Sequence, residues 1–200
     1  MGHKLLQHYE SIINKMVDHE FSSNLKDIII QSPDYITEVP SSSTGKYHPN
    51  DEFCKQGMIY HIDRCLVFAE EIIEMWDIED GDILYAGCIL HDVFKSGETY
   101  TKKTDPKHAL YIYQHILDYI KYRNLGKLMR TKLEKLAVIC ALHEGKWTID
   151  DVHNKLREDG IIWINYSKLI EAMHIVDYFA SRRSVYQIMQ KRGFWYKWRS

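Results

Sequence analysis

This chain has few prolines and few glycines, and its positive and negative charges nearly balance. Only 4 of the 200 residues are proline and 10 are glycine. Collagen-like and disordered chains are rich in these residues, so both classes are excluded. Lys and Arg number 26 against 28 Asp and Glu, which gives a net charge of −2. The chain therefore has no overall charge excess that would attract nucleic acid or an anionic membrane surface.

Cysteine pairs and long apolar runs are also missing. None of the four cysteines belongs to a Cys-x-x-Cys motif, which excludes the usual cysteine-based zinc site. Three of them lie in apolar helical patterns, where a reduced thiol packs as a small hydrophobic residue. The longest apolar runs, such as residues 28–30, have a few residues, against the ~20 that a membrane-spanning helix needs. Because no long apolar leader is present either, we expect a cytoplasmic protein.

What the sequence does contain is a period of 3.6 residues in its apolar positions. Met58, Ile62 and Cys65 begin one such face, which continues to Trp76, and alternating strand patterns are rare. The sequence therefore predicts an all-α protein with a polar connection at residues 32–56 and a short strand-like run at 161–163. The predicted helices cover residues 4–31 (with a break near 22–24), 58–76, 80–93, 105–122, 128–142, 150–158 and 167–190.

Several of these apolar helix faces are interrupted by a histidine or an aspartate. An unpartnered polar group inside a bundle costs a few kcal/mol, so these side chains need partners. Imidazole and carboxylate groups meeting in a helical bundle are typical of a divalent metal site, in which a carboxylate can bridge two ions. The residues are His61, His91, Asp92, His108, His143 and Asp177. His115 lies on the same face as His108 and is the alternative ligand from that helix.

The order and spacing of this set resembles the ligand set of the HD superfamily of metal-dependent phosphohydrolases. The match extends over residues 45–181, and the segment from Ile89 to Lys95 resembles the family's His-Asp-x-x-Lys motif. The resemblance implies an all-α HD-domain bundle with a central metal site. It further implies that His61, His91, Asp92 and Asp177 hold one ion, while Asp92 bridges to a second ion held by His108 and His143.

The same resemblance implies a function and its catalytic residues. We expect hydrolysis of a phosphoester or phosphoanhydride bond in a nucleotide or nucleotide-derived substrate, with Asp92 and Lys95 as catalytic residues. Two divalent ions would activate the attacking water. The ligand types do not distinguish Fe, Mn, Co, Ni, Zn and Mg. A nuclease acting on single strands and a mixed-valent di-iron oxygenase use related sites and are the alternatives.

Residues outside the ligand set are candidates for substrate binding. Lys46 and His48 lie in a Gly-Lys-Tyr-His-Pro segment of the long polar connection, and Arg182 follows Asp177. All three are expected to contact substrate phosphate. Trp147 is expected to pack against the domain rather than line the pocket. The preferred partner is thus a phosphorylated small molecule.

The remaining expectations concern the whole chain. A single HD domain is predicted over residues 1–200, with the helix at 4–31 and a tail at 191–200 packed on its core. The tail alternates basic and aromatic residues, a pattern that suits single-stranded nucleic acid but also docking on the domain itself. With the neutral charge balance, nucleic acid is the less favoured partner. The 14 Tyr and 5 Trp are compatible with a homo-oligomer.

Overall fold

The structure is a computed structural model that describes residues 3–42 and 45–192, and within them it is all-α. No strand occurs in this part of the chain, so the strand-like run predicted at 161–163 is wrong. There Ile162 is exposed and a 3₁₀ helix follows at Trp163–Tyr166. Nine α-helices are described: α1 (Lys4–Ile13), α2 (His19–Ile30), α3 (Gly57–Trp76), α4 (Gly81–Leu90), α5 (His108–Tyr122), α6 (Lys127–Ala141), α7 (Asp150–Glu158), α8 (Ser167–Ala180) and α9 (Arg183–Arg192).

Helix α4 lies at the centre of the bundle. It packs against α3, α6 and α8, and its residues from Ile83 to Leu90 are buried except for Tyr85, which is half-buried. A helix that is apolar on every side is stable only inside a protein. Gly87 allows the close approach, because a Cβ there would lie 2.8 Å from the Ile139 side chain of α6. The end of α4 is therefore held deep in the fold, and His91 follows directly.

The first predicted helix, residues 4–31, is in fact two helices, and the break lies at residues 14–18 rather than near 22–24. Asp18 explains its position, since its side chain accepts a hydrogen bond from the Phe21 amide and begins α2. The Asp18 amide also donates to Asp82 of α4, 2.9 Å away. Contacts with a distant helix therefore fix a break that the apolar pattern does not show.

The last predicted helix, residues 167–190, is also divided. Helix α8 ends at Ala180, and the amide of Arg183, which begins α9, donates to the Tyr47 carbonyl at 2.9 Å. The chain thus turns at residues 181–182, which directs Arg182 toward the polar connection. The predicted tail contact at 193–200 lies outside the described residues, as do residues 43 and 44.

The polar connection between α2 and α3 is folded onto the bundle. Short 3₁₀ helices form at Asp34–Glu38 and Asn50–Phe53, and the Met58 amide donates to the Val39 carbonyl at 3.1 Å. As the sequence predicts, Cys65, Cys88 and Cys140 are buried free thiols. None of the helices in the described ranges combines the length and the apolar character needed to cross a membrane.

Candidate metal centre and adjoining cleft

Five segments of the chain bring the six predicted metal ligands together at the centre of the bundle. The histidines and Asp92 are at most 2% exposed, and the Asp177 side chain is 20% exposed. Most of them sit where a helix starts or ends, so the chain changes direction around the site. His61 lies within α3, His91 and Asp92 follow α4, His108 begins α5, His143 follows α6, and Asp177 lies on α8.

The first group of donor atoms comes from His61, His91 and Asp177. The Nε2 atoms of the two histidines are 3.3 Å apart. Asp177 Oδ1 lies 3.1 Å from His61 Nε2 and 3.7 Å from His91 Nε2. The Cys65 thiol, whose pKa burial raises, is a further potential donor 3.5 Å from His61 Nε2. Two imidazoles and a carboxylate thus face one point.

The second group comes from His108 and His143, and Asp92 joins it to the first. The Nε2 atoms of these two histidines are 3.4 Å apart, and Asp92 Oδ1 lies 3.1 Å from the first and 3.7 Å from the second. The other carboxylate oxygen, Asp92 Oδ2, lies 3.6 Å from His91 Nε2. The two oxygens of one carboxylate therefore face different imidazoles.

The orientation of the rings fits this donor set to a metal. His91 Nδ1 lies 3.1 Å from the Cys88 carbonyl, His108 Nδ1 2.8 Å from that of Asp105, and His143 Nδ1 2.7 Å from that of Cys140. A carbonyl oxygen only accepts hydrogen bonds, so each Nδ1 carries the hydrogen and each Nε2 presents a lone pair. Lone pairs that face each other at 3.4 Å repel unless a proton or a metal cation lies between them. Divalent ions fulfil that requirement.

The pKa values of the imidazoles shift in different directions, and against the effect of burial that of His61 is raised by Cys65 and Asp177. Burial, together with the neighbouring His91, lowers the pKa of His143 to about 4, and burial also lowers the pKa of His91. Burial opposes protonation of His108, but the Asp92 carboxylate raises its pKa. Burial likewise disfavours the Asp92 carboxylate, but the Lys95 ammonium holds its pKa well below the usual range. Neutral imidazoles and ionised carboxylates are the forms that bind metals.

His115, the alternative ligand on α5, has a different role. Its Nε2 lies 3.2 Å from the Ile28 carbonyl and 3.3 Å from the Ser32 hydroxyl, and its ring packs edge-on against Phe94. These contacts attach α5 to α2, away from the other imidazoles. His108 is therefore the residue that the structure places in the cluster.

Lys95 lies beside the Asp92 carboxylate, as its position after the His-Asp pair suggests. Its ammonium forms an ion pair with Asp92 Oδ2, and its side chain is 17% exposed. Burial opposes the charge, but Asp92 raises the pKa of Lys95. A fixed positive charge therefore adjoins the donor atoms.

Glu52 is a buried member of the site that the sequence does not reveal. It is 0% exposed, and its Oε2 accepts hydrogen bonds from the Ser41 hydroxyl at 2.5 Å and from His48 Nδ1 at 2.6 Å. The same oxygen lies 3.7 Å from His61 Nδ1, and the other oxygen pairs with Arg64. Burial disfavours its charge, but His48, His61 and Arg64 hold the pKa of Glu52 well below its usual range. Glu52 is thus an anionic partner behind the ligand His61.

A cleft of about 520 Å³ opens beside the Asp177 carboxylate. Of the three predicted substrate residues, His48 and Arg182 line it. Lys46 does not: it is exposed, with its ammonium 5.2 Å from the Tyr47 ring. Trp147 was expected to pack, but it is 53% exposed and lines the cleft. The full set of lining residues is Tyr47, His48, Glu144, Trp147, His174, Asp177, Tyr178, Ser181 and Arg182.

Gly145 connects the metal cluster to this cleft. It has a φ of +59°, and a Cβ at this position would lie 2.5 Å from the His174 ring. A glycine is therefore required for the turn after His143, both for its backbone conformation and for the contact with α8. The turn places Trp147 two residues further along the chain, on the wall of the cleft.

Comparison with known proteins identifies no relative of this chain. No protein-family model, curated protein or solved structure matches the chain. The likeness to the HD superfamily therefore depends on the order of the ligands in the sequence. What the structure itself establishes is an all-α fold with a buried cluster of histidines and aspartates that could hold metal.

Proposed function

We propose that this protein is an HD-type, metal-dependent phosphohydrolase that cleaves a phosphoester or phosphoanhydride bond of a nucleotide or nucleotide-derived substrate. The observation that carries the proposal is the Asp92 carboxylate, whose oxygens face two separate imidazole groups. Two divalent ions bound there would supply an activated water and positive charge for the phosphoryl oxygens.

The residues of the chain have distinct roles in this proposal. His61, His91 and Asp177 would hold one ion, His108 and His143 would hold the other, and Asp92 would contribute to both. The Nδ1 hydrogen bonds of His91, His108 and His143 to backbone carbonyls keep these three imidazoles in the tautomer that presents Nε2. These bonds also keep the rings from rotating when substrate enters.

Lys95 and Arg182 supply positive charge on two sides of the substrate phosphate. Lys95 is half-buried against Asp92, whereas Arg182 lines the cleft. With Asp92 engaged as a metal ligand, the Lys95 ammonium would be available to a phosphoryl oxygen. Charge that is fixed before the reaction stabilises the transition state without reorganisation.

The test is product analysis with manganese-loaded protein under anaerobic conditions. The substrates are nucleoside mono- and triphosphates, dinucleoside polyphosphates, cyclic dinucleotides and short oligonucleotides. Asp92→Ala should abolish turnover, because both ion sites lose a ligand. Asp118→Ala, which changes an exposed aspartate of α5, is the matched control and should retain wild-type rates.

Metal content separates the possible outcomes. We expect two ions per chain in the wild type and one in His108→Ala, measured by elemental analysis after dialysis. Two bound ions without hydrolysis of any substrate would contradict the proposal. Oxygen uptake by the iron-loaded protein would then favour the oxygenase alternative.

A further inference from the structure

The wall of the cleft contains a column of stacked planar groups drawn from three segments of the chain. The Arg182 guanidinium carbon lies 4.9 Å from the centroid of the Tyr47 ring and 4.0 Å from that of Tyr178. The Trp147 ring is parallel to the Tyr178 ring, with an interplanar angle of 5° and 6.2 Å between centroids. We call Tyr47, Arg182, Tyr178 and Trp147 the ring column.

Three aromatic rings of the ring column are partly exposed to solvent, which is unfavourable for their apolar surface unless a ligand covers it. Tyr47 and Trp147 are each 53% exposed, and Tyr178 is 37% exposed. Grouped exposed aromatic residues commonly mark a binding site. The Lys146 ammonium lies 4.7 Å from the Trp147 ring, but it belongs to an exposed, flexible side chain that a ligand can displace.

The polar groups that line the cleft indicate which chemical groups a ligand would carry. Arg182 Nε is buried without a hydrogen-bond partner among the residues described, and Arg182 brings a positive charge to the lining of the cleft. Asp177 connects the cleft to the metal cluster. Glu144, which also lines the cleft, can accept hydrogen bonds from hydroxyl or amino groups. A ligand with a phosphate at one end and a planar ring with donor groups at the other fits these features.

We infer that the cleft binds a single nucleotide, with its base stacked on Trp147 and its phosphate between Arg182 and the metal cluster. This inference rests on the proposed function for the reaction at the phosphate, but the base site can be tested separately. The cleft volume, about 520 Å³, lies in the range typical of small-molecule sites. The near-neutral charge of the chain does not favour a long path for a nucleic-acid strand.

The first experiment measures the preference for a base during hydrolysis. For each protein, kcat/KM for a nucleoside 5′-monophosphate is divided by kcat/KM for ribose 5-phosphate, which has the same ester but no base. Stacking of a base on an aromatic side chain is strong enough for a preference of about tenfold or more. Trp147→Ala should reduce this ratio to near one, whereas Trp147→Phe should retain most of it. Tyr122→Ala, which removes an aromatic ring that is 76% exposed outside the cleft, should leave the ratio unchanged.

The second experiment detects the base site without any hydrolysis. Saturation-transfer NMR on the metal-loaded full chain is performed with nucleosides and with ribose, none of which contains a phosphoester. Saturation of the base protons is expected in the wild type and in Trp147→Phe, and its loss is expected in Trp147→Ala. Binding of this kind without any phosphohydrolase activity would refute the proposed function but support the base site.

Two results would overturn the inference. One is hydrolysis of both monoesters with a ratio near one together with no saturation transfer from any nucleoside. The other is a preference of more than tenfold for a short oligonucleotide over the mononucleotide, which would indicate a nuclease that binds single strands.

Discussion

Replacing Glu52 by glutamine tests whether this buried carboxylate orients the metal ligand His61. In the wild type, one Glu52 oxygen accepts hydrogen bonds from the Ser41 hydroxyl and from His48 Nδ1, and it faces His61 Nδ1. The other oxygen pairs with Arg64. A glutamine has one oxygen and one NH₂ group, so whichever way it is turned, its NH₂ group meets hydrogen-bond donors. The substitution keeps the shape of the side chain but disrupts one half of these contacts.

The structure gives the size of the expected effects. Removing one member of a buried ion pair typically costs 3–5 kcal/mol. Because Asp51 still pairs with Arg64, we expect the lower end, about 3 kcal/mol of unfolding free energy, which is a fall in melting temperature of roughly 6–12 °C. Loss of the carboxylate partner of a metal-binding histidine lowers metal affinity about 10–100-fold. That loss should affect the ion held by His61 and leave the ion held by His108 and His143.

Metal titration against a competing chelator, combined with thermal unfolding of the metal-free protein, measures both effects. Asp51→Asn is the matched control, because it also removes a carboxylate from Arg64 but does not approach His61. It should reduce stability less and leave both metal affinities unchanged. The reasoning is refuted if Glu52→Gln binds two ions with wild-type affinity, or if Asp51→Asn weakens the same ion equally.

Three further changes test other parts of the structure. Lys95→Gln should lower kcat at least tenfold while metal content stays at the wild-type level, because it removes charge and not a ligand; loss of bound metal would contradict this role. Tyr35→Phe removes a hydroxyl that donates to the Gly97 carbonyl at 2.6 Å and accepts from the Ser96 amide at 3.1 Å. It should destabilise the protein by about 1–3 kcal/mol in denaturant unfolding, and an unchanged midpoint would contradict the prediction. Burial raises the pKa of Tyr35 from an ordinary 10.0 to about 12, so its contribution is complete below pH 10 and is lost as the pH rises toward 12. Denaturant unfolding across that interval should show a smaller loss of stability in Tyr35→Phe than in the wild type.

The ligand cluster could be predicted from sequence because its members interrupt regular patterns. A histidine on an apolar helix face, such as His61 between Met58 and Cys65, is visible without a structure. The helices that carry the ligands follow from the same periodicity. His108 and His115 share a face, however, and only the contacts of His115 with Ile28 and Ser32 show which of the two is structural.

Glu52 and the helix breaks could not be predicted in this way. Glu52 lies in a 3₁₀ helix within the long polar connection, where no periodicity separates a buried residue from an exposed one. The break before α2 depends on the contact of Asp18 with Asp82, and that before α9 on the contact of Arg183 with Tyr47. Each contact joins residues that are distant in sequence, so a local pattern contains no trace of it.

Two adjacent residues of the polar connection join the metal cluster to the cleft. Tyr47 stacks on Arg182 in the ring column, while His48 donates to Glu52 behind the ligand His61. The Tyr47 carbonyl also accepts a hydrogen bond from the amide of Arg183, the first residue of α9. This one segment therefore contacts both Arg182 in the cleft and the carboxylate behind His61.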